Sequence, residues 1–319
     1  MDRPWTRDEA SASGQVFEDR LWALLMEQSR GHLHVFRPLL DRGVDALLHR
    51  LADGTYIPVQ AKGRSSLRRG RVQLLVAAES VTDDLVVVIG GEIVDGGLGP
   101  KLLVVPTPDF RRLALLTSAN GAPEYAMSFS MNPRSKDRWQ PWLVPTDQLV
   151  EKFGVPLGLP APTIVAAPPW LRRSPLGFLG ESEVIRRLAE AERLNLFRPF
   201  PDLETVELAV RQLGSGRVVG LQIKTVSVDA ANPNRPVDIY MSSFRPAPTT
   251  YFTVVAWMPD ERRFHDECLV IPSAELLKFA RPDGVHYQFE YQPGSTKQPR
   301  LDKYRRALSS LATEVETLL

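Results

Sequence analysis

The chain has 319 residues, 43% of them hydrophobic and 24% charged, which excludes a disordered, collagen-like or coiled-coil polypeptide and leaves room for two domains. Its 39 basic residues meet 38 acidic ones, so no global positive field gathers polyanions and any nucleic-acid site must be local. A single cysteine, Cys268, excludes an internal disulfide and a thiolate zinc cluster and points to a reducing, cytoplasmic setting.

The amino-terminal residues are charged and lack the apolar core of a signal peptide, so no export is expected. Phe17, Leu21, Leu24 and Leu25 then recur at the spacing of an amphipathic helix, with Glu18 beside the apolar stripe. Two alternating segments follow, residues 44–51 and 55–62, joined by Ala52, Asp53 and Gly54 in a hairpin with an Asp-Gly turn. On the second strand a period of two puts Gln60 and Lys62 on one face and Ile57, Val59 and Ala61 on the other. The expectation is one core face and one chemical face. Apolar runs at 72–77, 85–90 and 102–105 predict further strands, and 109–116 predicts a helix. The most apolar stretch, from Leu85, is cut off by Glu92, well short of the roughly 18 residues of a membrane span, so no membrane partner is expected.

The same order recurs in the second half. Phe36-Arg37-Pro38 returns as Phe197-Arg198-Pro199, and the interval of fifteen residues from Asp45 to Gln60 returns from Glu207 to Gln222. Lys62 has its counterpart in Lys224, Gly54 in Gly216, and Gly14 with Glu18 in Gly177 with Glu181. A helix carrying Val184, Leu188 and Ala191 opens the second copy. Between the copies stand Pro156, Pro160, Pro162, Pro168, Pro169 and Pro175, a composition that favours a stiff, extended connector. The predicted organisation is a domain at 1–155, a proline-rich linker at 156–175 and a second domain at 176–319, a tandem duplication of one α/β unit.

An acid followed fifteen residues later by Gln-x-Lys, with a Glu on the preceding helix, resembles the PD-(D/E)XK nuclease superfamily, and most of all its Mrr-like branch, in which Gln replaces the second acid. The resemblance occurs twice. It implies two tandem restriction-endonuclease-like domains, each a central mixed β-sheet flanked by helices. It also implies a metal site in each, with Asp45, Gln60 and Glu18 in the first, Glu207, Gln222 and Glu181 in the second, and Lys62 and Lys224 at the attacking water and the scissile phosphate.

Elementary chemistry is consistent with that assignment. Mg²⁺ or Mn²⁺ takes oxygen ligands and needs only one or two carboxylates from the protein. Gln60 offers a neutral carbonyl, a weaker ligand than a second acid. Only 8 of the 39 basic residues are Lys, so two of them at equivalent strand positions are not casual surface charge. Glu207, longer than Asp, is expected to displace the second site and make it the less competent. Arg64, Arg68, Arg69 and Arg71 follow the first Gln-x-Lys strand and are candidates for phosphate contacts; as a solvated charge run they need no partner. His32 with His34, and His265 with Cys268, lack completing ligands, and Trp139, Trp142 and Tyr304 fit packing better than base stacking. The expected activity is metal-dependent phosphodiester hydrolysis on nucleic acid, DNA before RNA, by a pseudo-dimer within one chain. The second reading keeps the fold without the chemistry: a non-catalytic nucleic-acid-binding or scaffold protein with relic motifs.

Overall fold

The computed structural model describes residues 7–39, 43–64, 67, 70–118, 121–133, 137–161, 175–200 and 206–319. The chain divides into two compact units, 1–162 and 163–319.

Unit 1 opens with helix α1 (Arg7–Ser29) and continues with β1 (Leu33–Pro38), β2 (Ala46–Arg50), β3 (Thr55–Arg64), β4 (Val72–Ala77), β5 (Val87–Val94), β6 (Gly97–Leu98), β7 (Lys101–Pro106), α2 (Thr107–Leu113), β8 (Leu115–Thr117), β9 (Glu124–Phe129) and β10 (Leu143–Pro145). Its main sheet runs in the order β10-β7-β5-β3-β2-β1, antiparallel throughout except for the parallel pair β3–β5. A small antiparallel sheet, β4-β9-β8, stands apart.

Unit 2 comprises α3 (Pro175–Ala189), β11 (Leu194–Phe200), β12 (Leu208–Gln212), β13 (Val218–Ser227), β14 (Arg235–Tyr240), β15 (Thr250–Met258), β16 (Arg263–Pro272), β17 (Arg281–Asp283), β18 (His286–Tyr291), β19 (Arg305–Ala307) and α4 (Leu311–Leu318). Here the main order is β11-β12-β13-β15-β16-β19, with β13–β15 the one parallel pair, and the small sheet is β14-β18-β17. Read from β1 in one unit and β11 in the other, the two main sheets agree strand for strand, and so do the small ones.

The hairpins that carry the repeated motif form for the same local reason in both units. Gly54 and Gly216 take positive φ, +71° and +70°, and each donates its N–H back across the turn, to Arg50 and Gln212 respectively. The Asp53 and Ser215 side chains accept the N–H two residues on, from Thr55 and Arg217 respectively. The predicted strand at 44–51 is shorter than expected and starts at Ala46, so Asp45 sits in the bend before it. The helix expected at 109–116 lies at Thr107–Leu113, and Leu115 already belongs to β8. Ala191 follows the end of α3.

The expected division into a core face and a chemical face is corrected by the packing. One face of the unit 1 sheet holds Val59, Ala61 and Ile89 against Phe17, Leu21, Trp22 and Leu25 of α1. The other is also a core, with Val88, Leu103 and Val105 under Leu74, Met127, Phe129 and Phe110. A parallel strand pair is ordinarily covered on both sides, so Gln60 is 2% exposed on a buried face. Each sheet therefore carries helices on one face and a small sheet on the other; α2 adds to that second face in unit 1. In unit 2, Val184 and Leu188 of α3 with Leu311 and Val315 of α4 cover Leu221, Val255 and Cys268. Val237, Ile239, Phe289 and Tyr291 cover the opposite side.

Part of the predicted linker is packed. Leu159 lies against the unit 1 core and the Pro160 carbonyl is 2.8 Å from His32 Nε2. Pro162, Pro168 and Pro169 lie outside the described residues. No helix among the described residues is long and apolar enough to cross a membrane.

Candidate active site

The position of Asp45 follows from where the β2–β3 ladder stops. Its N–H donates to the Val59 carbonyl at 3.0 Å, and its carboxylate accepts the peptide N–H of Ala61 at 2.7 Å, replacing a ladder partner that β2 no longer supplies. Gln60 Nε2 donates to the same oxygen, Oδ2, at 2.5 Å, and Lys62 Nζ stands 3.9 Å from it. The motif residues Asp45, Gln60 and Lys62 are thus brought together at one carboxylate oxygen. Gln60 Oε1 is turned away, buried and without a hydrogen-bond partner.

Glu18 arrives from the helix. A Cβ on Gly63 would lie 2.0 Å from the Phe17 ring, and one on Gly91 would lie 2.8 Å from it, so the two glycines leave space for a single aromatic ring between α1 and the sheet. Phe17 is wholly buried there, and the next residue is carried to the motif. Burial, then the neighbouring Asp45 carboxylate, push the Glu18 carboxyl up to about 7, against the opposing pull of Lys62 and Arg37. Among the described residues no hydrogen bond or ion pair reaches the Glu18 carboxyl; Arg37 instead pairs with Asp19 at 3.1 Å.

Unit 2 repeats the backbone part of this arrangement. Glu207 N–H donates to Leu221 at 3.1 Å, its carboxylate accepts Ile223 N–H at 2.7 Å, and Lys224 Nζ is 3.7 Å away. Glu207 is as enclosed as Asp45, and burial raises its carboxyl above the usual range despite Lys224 and the Ile223 N–H. The surroundings differ. Glu181 is 6% exposed and meets Arg198 at 3.8 Å, while Gln222 is buried. The helix-to-strand contact is inverted: Gly180 is on the helix and Thr225 on the strand, and a Cβ on Gly180 would lie 1.9 Å from Thr225 Oγ1.

Could these residues hold the divalent ion that the motif implies? In unit 1 the donor chemistry suits a hard cation: two carboxylates, Asp45 and Glu18, close enough to raise the pKa of one, and an orphaned amide oxygen on Gln60 that needs a partner. Gln60 presents its nitrogen to Asp45, and turning that amide over would present the oxygen instead. No group of three or more His, Cys, Asp or Glu suited to a metal occurs among the described residues, so the amide has to complete the set. In unit 2 both carboxylates already have a cationic partner, Glu181 with Arg198 and Glu207 with Lys224.

The basic residues after β3 do not act alike. The Arg64 side chain is exposed and makes no ion pair or hydrogen bond among the described residues. Arg71 bonds Ser128 Oγ at 2.9 Å and the Ser128 carbonyl at 2.6 Å and reaches Asp137 at 3.5 Å, a structural tie. Arg68 and Arg69 lie outside the described residues. Trp139 is buried in the unit 1 core and Tyr304 packs on Phe279, as expected of packing residues. His34 and His49, buried and 6.2 Å apart between ring centroids, have no hydrogen-bond partner on either ring among the described residues. Arg37, Arg198 and Asp19 were not among the candidates. The recurrence of Phe-Arg-Pro was the signal for the two arginines, since a charged residue kept at an equivalent strand position needs a reason.

No family model and no curated protein matches the chain. Among solved structures it is similar to a bacterial homing endonuclease, at 18% identity, over 44% of this chain and 95% of that one, with a TM-score of 0.30.

Proposed function

We propose that the chain is a metal-dependent nuclease, acting on DNA before RNA, built as a tandem duplication of a PD-(D/E)XK-like unit and working as a pseudo-dimer. The observation that carries this reading is the meeting, in unit 1, of an acid anchored by a strand N–H, an amide with an unsatisfied buried oxygen, a lysine and a half-buried helix glutamate. The matched strand orders of the two units support the duplication.

Asp45, Glu18 and Gln60 Oε1 would hold Mg²⁺ or Mn²⁺, which when bound lowers the pKa of water and offsets charge developing on the phosphate. The chain's own groups do the rest. Asp45 is immobilised by the Ala61 N–H, so the site's geometry is set by the strand backbone. Lys62 is a compact cation, 37% exposed, placed to touch a phosphate oxygen and orient the attacking water. Arg64 extends the same strand toward solvent, where a flanking phosphate can be met.

Incubation with supercoiled, linear, branched and single-stranded DNA in Mg²⁺ or Mn²⁺ tests this, comparing the parent with Lys62→Ala, Lys224→Ala and the double change. Cleavage lost in the double variant supports the proposal; undiminished cleavage removes both sites from the reaction. One observation favours the second reading, a non-catalytic nucleic-acid-binding or scaffold protein: Asp45 Oδ2 already receives Gln60, Ala61 and Lys62. Absence of any Mn²⁺ site sensitive to Asp45→Asn, with oligonucleotide present, would decide for it.

A further inference from the structure

We infer that only unit 1 takes up the cation, and that Asp19 is the positioning residue that makes it so by drawing Arg37 into its own ion pair and out of one with Glu18. This rests on the nuclease reading and deepens it.

The two units carry equivalent acids but partner them differently. In unit 2 each acid has its own cation: Arg198 is 3.8 Å from Glu181 and Lys224 is 3.7 Å from Glu207. Glu207 is about as enclosed as Asp45, so the contrast lies in charge: a divalent ion entering unit 2 would meet two carboxylates that each already face a cation. In unit 1 Asp45 has Lys62, but among the described residues no ion pair reaches Glu18, so this cluster has one cation fewer than its counterpart. Turning the Gln60 amide over would bring its unpartnered oxygen to Asp45 as a further neutral donor.

The cause of the difference lies one residue along the helix. Arg37 and Arg198 occupy equivalent places in the repeated Phe-Arg-Pro, so the strands present the same cation to the helix in both units. After Glu18 comes Asp19, 49% exposed, which takes Arg37 at 3.1 Å. After Glu181 comes Ser182, whose hydroxyl is spent on the Phe178 carbonyl at 2.8 Å and carries no charge. Arg198 therefore turns to Glu181. A chain with one loaded centre cuts one strand per encounter, and its first product from a supercoiled circle is a nicked circle.

The test is Mn²⁺ titration of the full chain by calorimetry, beside a plasmid time course. The expected result is one site per chain, absent in Asp45→Asn. Asp19→Ser, at a half-exposed position, weakens it on the order of tenfold, because Arg37 moves onto Glu18. Adding Arg37→Gln to Asp19→Ser restores affinity, which a general loss of structure would not allow. Two sites in the parent, or linear plasmid formed without a nicked precursor, overturns the single-centre inference and leaves the nuclease reading standing. Unchanged affinity in Asp19→Ser overturns the role of Asp19. No site under any condition overturns both the inference and the function it rests on.

Discussion

Phe17 and Gly63 share one space: the ring on α1 fills the volume that a side chain on β3 would need, with 2.0 Å between Phe17 and a Cβ placed at Gly63. Unit 2 has the opposite assignment at the equivalent positions, Gly180 on the helix and Thr225 on the strand. One bulky partner and one absent partner is the rule in both.

Gly63→Ala is therefore expected to destabilise unit 1 by about 1–3 kcal/mol through overpacking against an immovable ring. The cost should shrink when Phe17→Ala is present, because the second change vacates the contested volume. Urea denaturation of the two single variants and the double variant gives the coupling; strict additivity would mean that the contact does not set the helix position.

Gln60→Glu places a second carboxylate where the amide now donates to Asp45 at 2.5 Å. Without a cation, two oxygens at that separation repel unless one is protonated, so the variant should melt lower than the parent in EDTA. With Mn²⁺ present the order should reverse, since a second acid is a stronger ligand than an amide. Melting curves with and without Mn²⁺ check both halves.

Arg64 and Arg71 separate binding from folding. Arg64→Ala should leave stability unchanged and lower the salt dependence of DNA affinity by about one phosphate contact, a change of about 0.9 in the log–log slope. Arg71→Ala should cost about 1 kcal/mol of stability by releasing Ser128 and Asp137, with no change in that slope. Fluorescence anisotropy over a salt series, with denaturation alongside, distinguishes them.

Acid should weaken unit 1 through its buried histidines. Burial lowers His34 to about 4 and, together with the charge of its neighbour, His49 to about 3, against 6.5 for an unperturbed ring. The unfolded chain then binds more protons than the native one below 6.5. The stability each ring contributes is complete above that pH and declines as pH falls toward 4 and 3, by about 2 kcal/mol per ring at pH 5. His49 is stacked on Tyr56, with 4.2 Å between ring centroids. His49→Phe keeps a ring there without a titrating nitrogen and should flatten the loss between pH 7 and pH 5 in urea denaturation.

Much of the site was legible in the sequence because its geometry is a backbone property. Fifteen residues across a hairpin of fixed turn chemistry put Asp45 beside Gln60 wherever the hairpin forms, and the same arithmetic holds for Glu207 and Gln222. The strand period placed Gln60 and Lys62 on one side correctly. It could not reveal that this side is buried, because β4, β9, β14 and β18 cover it through contacts distant in sequence. Nor could it reveal the exchange between Phe17–Gly63 and Gly180–Thr225, since a lone glycine in a strand does not announce which residue will occupy its missing volume. Asp19 and Ser182 look like ordinary helix-surface residues until the arginine opposite them is located.

Cys268 offers a use that follows from its place beneath α3 and α4. It is wholly enclosed, and burial, with Glu267 adjacent, pushes its thiol up to about 12, so the native protein presents almost no thiolate to an alkylating reagent. As the chain contains no other sulfhydryl, the rate of its labelling is a built-in clock for the opening of the unit 2 core, readable by mass alone.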